Sequence, residues 1–123
     1  MSENTTNFLT PNNNAGFSTQ HLEKMNKSLN FLVESLEIGR NNSLMFISWV
    51  EKDIDDLLNR KIYHLSDSQV GAEIRALVMR KREYLQRLEA QESSIAAAKR
   101  ELYEVDSELN SRIQSVLNRK ENG

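Results

Sequence analysis

Three stretches bring together side chains whose types could do chemistry. "HLSD" sets His64, Ser66 and Asp67 side by side, the residue types of a hydrolytic triad. A triad also needs a Ser–His hydrogen bond, a group that orients the imidazole and an oxyanion hole. Nothing in the stretch supplies the hole, and Ser66 and Asp67 are already explained as the start of a helix. "EKDIDD" clusters Glu51, Asp53, Asp55 and Asp56. A calcium loop needs oxygen ligands at alternating positions around a glycine turn. Here Ile54, Leu57 and Leu58 keep helical spacing and no glycine intervenes, so a solvated acidic helix face is expected. "RALVMRKREYLQR" carries Arg75, Arg80, Lys81, Arg82 and Arg87. A basic-region zipper places such a run ahead of its heptads. Here Leu77, Tyr84 and Leu88 are interleaved with it. Glu73, Glu83 and Glu89 stand close enough for local charge balance, and the acidic face at 51–56 is a candidate counterpart on another helix. His21 stands alone and reads as solvated. There is no glycine-rich phosphate cradle. The chain therefore reads as a non-enzyme with no cofactor and no metal site.

The totals narrow the class further. The chain has 123 residues, enough for one domain, with 28% charged and 38% hydrophobic side chains. That apolar share is below the globular average, while the charged share is ordinary. One proline and four glycines suit long helices, which bury only a stripe. A net charge of −2 offers no field for nucleic acid or an anionic membrane. The absence of cysteine excludes disulfides, thiolate catalysis and Cys-ligated zinc within this chain. No signal peptide is read at the start, and no apolar run approaches the roughly 20 residues of a membrane span. A cytoplasmic protein without membrane insertion is expected, and the Asn-x-Ser/Thr triplets at Asn4, Asn26 and Asn41 are read as chance.

Residues 1–18 are asparagine-rich, hold the only proline and lack an apolar period. They read as a disordered tail, in which Phe8, Leu9 and Phe17 are incidental. A first helix is expected over about 19–63, capped by Ser18 or Thr19. Leu22, Met25, Leu29, Leu32 and Leu36 alternate steps of three and four, the spacing of a coiled-coil seam. The same count continues to Gly39, Ser43, Phe46, Val50, Asp53 and Leu57. Gly39 either marks a break in "IGRNNS" or lies within one continuous helix, bent or straight at 39–42, where small side chains let a neighbour approach closely; the continuous helix is the favoured reading.

Ser66 followed by Gln69 is a capping box, with Leu65 and Val70 placed as its hydrophobic staple. A second helix is therefore expected over about 66–118. Counting from Ile74 gives Leu77, Lys81, Tyr84, Leu88, Gln91, Ile95, Ala98, Leu102, Val105, Leu109, Arg112 and Val116 without a slip of register. The fold class is all-α: two long helices forming an elongated helical hairpin or coiled coil after the tail.

"SLMFISWVEK" (43–52) departs from a simple seam. Leu44, Met45, Phe46, Ile47 and Trp49 point around the whole helix, because each residue turns the axis by about 100°. One neighbouring helix covers one side only, and the second helix is the longer of the two. Both gaps point to further chains. The expected partner-binding residues are Leu44, Phe46, Ile47, Trp49, Val50, Leu88, Ile95, Leu102, Val105 and Leu109.

"LNFLVESLEIGRNNSLMFISWVEKDIDDLL", a short turn and "IRALVMRKREYLQRLEAQ" together resemble the Snapin-like subunits of the complex that builds lysosome-related organelles. Leu29, Leu32, Ser35 and Arg40 match that family's layout, as do Leu44, Ile47, Val50, Leu57 and the start of the second helix from Ile74 to Arg82. The likeness spans about residues 22–105. "RNNS" departs from it, standing where an acidic residue, Ser and Gln are usual. The resemblance implies a subunit of a rod-like hetero-oligomer in endosomal, lysosomal or vacuolar trafficking, peripheral on those organelles. Its implied partners are other small coiled-coil subunits and SNARE-type helices.

A second reading stays open: a coiled-coil subunit of another assembly, such as a kinetochore ring or a SNARE regulator. A prefoldin-type chaperone would need strand hairpins between its helices, and "KIYHLSDS" is too short and polar for them.

Overall fold

The structure, a computed structural model, describes residues 13–59 and 64–122. It contains a short 3-10 turn, Asn13–Gly16, and two long helices. Helix α1 is Thr19–Leu58, 40 residues, and helix α2 is Asp67–Asn122, 56 residues. The two helices pack against each other, and no strand occurs among the described residues. The expected last turn of α1, at 60–63, and the tail residues Phe8 and Leu9 lie outside the described residues. Asn59 is already turn, although its amide still bonds the Asp55 carbonyl at 2.9 Å.

The helix starts are set by side chains, as their sequences require. The Ser18 hydroxyl accepts the His21 amide at 3.1 Å, so Ser18 and not Thr19 is the cap of α1. At α2 the box closes both ways. The Gln69 amide donates to the Ser66 hydroxyl at 3.2 Å, and Gln69 Oε1 accepts the Ser66 amide at 2.8 Å. Asp67 stands in the first turn of α2 and Arg119 and Lys120 in its last, each at the dipole end that favours its charge. Gly39 lies inside an unbroken α1. Leu22 and His21 are thus held from the first turn, and the whole amphipathic pattern follows in phase.

Two compact units divide the described chain. A terminal unit combines 13–34 with 96–122, and a turn unit comprises Ser35–Ile95. In the terminal unit Leu22, Leu29 and Val105 form a buried cluster, with Met25, Leu102 and Leu109 packed against it. Asn26 donates to the Asp106 carboxylate, and Arg112 donates to the Thr19 hydroxyl at 3.0 Å. In the turn unit Ile47, Val50, Leu57 and Ile95 are buried. Its cross-helix pairs are Ser43 with Gln91, and Glu51 with Lys81. In each unit rising numbers on α1 meet falling numbers on α2, so the helices are antiparallel.

The seam of α2 is observed as expected: every counted position from Ile74 to Arg112 is buried or half-buried. Val116, the last, is exposed. The seam of α1 needs one correction. Leu22, Leu29, Leu36, Ser43, Val50 and Leu57 face inward, but the companion row moves over by one residue along the helix. Val33 and Ile47 are buried, while Leu32 and Phe46 are 45% and 37% exposed. Asp53 is exposed and Ile54 takes the half-buried place. Three residues on, a side chain lies about 60° to one side of the seam residue, and four residues on about 40° to the other, so the fourth stands nearer the seam line. Both rows are apolar at 32–33 and 46–47, so periodicity could not choose between them. Branched Val33 and Ile47 fit the interior, and the larger Phe46 goes to the rim.

At the end of the stretch read as a tail, residues 14–17 meet α2: Arg112 Nη2 donates to the carbonyls of Phe17 at 2.6 Å, and of Asn14 and Ala15 at 3.4 Å. Glu108 Oε2 accepts from Arg112 Nε at 3.2 Å and fixes the fork. A charged acceptor and several free carbonyls satisfy a guanidinium that sits at a seam position meant for an apolar side chain.

Candidate interaction surface

The ten residues expected to meet partners separate into two groups. Ile47, Val50 and Ile95 are buried inside the turn unit, and Val105 inside the terminal unit. Leu88 is half-buried in the turn unit, and Leu102 and Leu109 are half-buried against the terminal cluster. The pairing of the chain's own two helices covers these seven, because a hairpin spends one apolar stripe of each helix on the other. Leu44, Phe46 and Trp49 remain on the outside, with Trp49 53% exposed.

Phe46 and Trp49 belong to an aromatic ladder in the turn unit. Trp49 meets Phe46 edge to face, ring centroids 5.4 Å apart and planes at 78°. Phe46 stacks on Tyr84 of α2 at 5.3 Å and 14°. The Arg87 guanidinium lies 5.5 Å from the centre of the Tyr84 ring. Edge-to-face and offset-stacked rings are the geometries favoured by the aromatic quadrupole, and a cation over a ring face adds to them. The ladder lies along the rim of the hairpin, so it is pre-ordered but not covered.

Ile38 and Met45 lie on the same side of α1 as Trp49 by helical spacing and are 56% and 42% exposed. They were not singled out as partner residues from the sequence, nor were Tyr84 and Arg87. The signal was present: Ile38 and Met45 are seven apart, the repeat of a second stripe. On the other flank Lys81 reaches Glu51 at 3.8 Å and joins the basic stretch to the acidic one. Both partners are substantially exposed, so the pair adds little to stability.

Ser66 serves the capping box. Asp53, Asp56, His64, Glu73 and Arg80 line an open cleft with Leu57, Leu65 and Leu77. Among the described residues no group of three or more His, Asp or Glu side chains is placed to hold a metal ion. No described helix is long and apolar enough to cross a membrane. In the terminal unit Ile113, Val116 and Leu117 are exposed, where α2 runs on past the start of α1. No protein-family model, no curated protein and no solved structure matches the chain.

Proposed function

We propose that this chain is a non-catalytic coiled-coil subunit of a hetero-oligomeric complex in endosomal, lysosomal or vacuolar vesicle trafficking. It acts by helix–helix assembly, in the cytoplasm and peripherally on those organelles. The assembly role is supported by one observation above the rest, the ordered aromatic ladder Trp49–Phe46–Tyr84 left open on the rim. Aromatic anchors of this kind carry a large share of binding energy when a partner desolvates them. The trafficking assignment rests on the resemblance of residues 22–105 to Snapin-like subunits, and small coiled-coil proteins and SNARE-type helices are the partners it implies.

The test is mild affinity purification of the tagged full chain from its own cells, with mass spectrometry of what accompanies it. Recovery of small coiled-coil proteins of the lysosome-related organelle machinery, lost on Phe46→Ala with Trp49→Ala, is the expected result. Kinetochore or spindle proteins would move the function to another coiled-coil assembly. Recovery of the chain alone would replace the hetero-oligomer by a homo-oligomer.

A further inference from the structure

We infer that the aromatic ladder docks an acidic amphipathic helix, whose carboxylates meet Arg87 and Arg80 along one edge. The inference rests on the assembly role proposed above and names the chemistry of the partner at that site.

The floor of the surface is uncharged. Over residues 35–49 of α1 the side carrying the ladder presents Ser35, Ile38, Asn42, Met45, Phe46 and Trp49, all neutral, and past Trp49 Asp53 and Asp56 continue the same side. The charged residues of the same stretch, Glu37 and Arg40, point elsewhere on the helical wheel and pair with each other at 3.7 Å. A neutral apolar floor beside half-exposed aromatic rings suits the apolar stripe of another helix.

The edge carries two arginines, with Glu83 between them in sequence. Arg80, Tyr84 and Arg87 are spaced by four and three, so they share one face of α2. Tyr84 is the rung that joins this face to Phe46. Lys81 is engaged by Glu51. Neither Arg80 nor Arg87 has a carboxylate within ion-pair distance among the described residues. Arg80 shares its cleft with Asp53, Asp56 and Glu73, whereas the Arg87 guanidinium lies over the Tyr84 ring, so Arg87 is the stronger of the two. The two guanidiniums stand two helical turns apart, so a partner with acidic residues seven apart beside its apolar stripe meets both. Such edge charges select partner and orientation in helix pairing.

Trp49 is the only tryptophan, so its emission reports on the surface directly. The full chain is titrated at low salt with three synthetic helical peptides. All share one leucine stripe, and they differ only in carrying Glu, Gln or Lys at two flanking positions seven apart. The expected result is a blue shift of Trp49 emission, with the Glu peptide binding about tenfold or more tighter than the Gln peptide and the Lys peptide weakest. Arg80→Glu with Arg87→Glu, checked for native helicity by circular dichroism, reverses the order in favour of the Lys peptide. Equal binding of the three peptides overturns the acidic partner while leaving an apolar docking surface, and with it the assembly role. No shift with any peptide overturns the docking surface itself. A shift that grows with the chain's own concentration, without peptide, assigns the surface to a second copy and overturns the inference.

Discussion

The Ser43 hydroxyl donates to Gln91 Oε1 at 2.8 Å, from a serine only 3% exposed. One turn back, a Cβ on Gly39 would meet Gln91 Nε2 at 3.2 Å. The turn unit thus carries a polar layer between its helices, made by two small residues on α1 that leave room for one amide on α2. A buried polar layer of this type costs stability and specifies register.

Ser43→Ala should destabilise the hairpin by about 1–2 kcal/mol, because it leaves the Gln91 carbonyl without its donor. Adding Gln91→Leu should recover most of that loss, since replacing both partners by apolar groups is close to neutral. Urea denaturation of the two single variants and the double variant closes the cycle. Simple additivity of the two changes would show that the bond contributes nothing specific.

Gly39→Leu should cost about 1–3 kcal/mol, since the larger side chain has to displace the Gln91 amide from its place. Gly39→Ala should stay within about 1 kcal/mol of the parent, with the helix-propensity gain offsetting the close contact. Thermal melts followed by circular dichroism compare the two. Equal stability of Gly39→Leu and the parent would mean that no close approach exists at this position.

Leu22→Ala should cost about 2–5 kcal/mol, because Leu22 is fully buried in the terminal cluster. Ile113→Ala, at a 55% exposed position of the same unit, should cost under about 1 kcal/mol. Paired urea titrations read both. A similar loss at the two sites would place a further covering surface over Ile113.

Arg112→Gln should speed hydrogen exchange at the Phe17 amide, which bonds the Asn14 carbonyl at 3.1 Å inside the turn that Arg112 clamps. Exchange in the turn unit should not change. Unaltered protection at Phe17 would show that the guanidinium follows the turn rather than holding it.

Phe46→Ala with Trp49→Ala should lower the stability of the isolated hairpin by less than the 3–5 kcal/mol or so typical of one buried aromatic, because both rings are partly exposed. Binding of an assembly partner should fall by far more. Denaturation of the isolated chain and pull-down of its partners measure the two effects separately. A collapse of the hairpin itself would make the ladder a core element instead of a docking surface.

Much of this protein was determined by its sequence alone. Ser18, Ser66 and Gln69 mark helix starts because short polar side chains satisfy free amides locally, without help from distant residues. The α2 seam from Ile74 to Arg112 was legible because a long heptad repeat admits one register. The tertiary structure alone decided which of two adjacent apolar rows on α1 turns inward, burying Ile47 and leaving Phe46 to stack on Tyr84. It alone brought Arg112 to the carbonyls of Phe17, Asn14 and Ala15, and Ser43 to Gln91. Those contacts join residues far apart in the chain, and their geometry follows from the side-chain volumes and free hydrogen-bonding groups that the antiparallel pairing sets opposite one another.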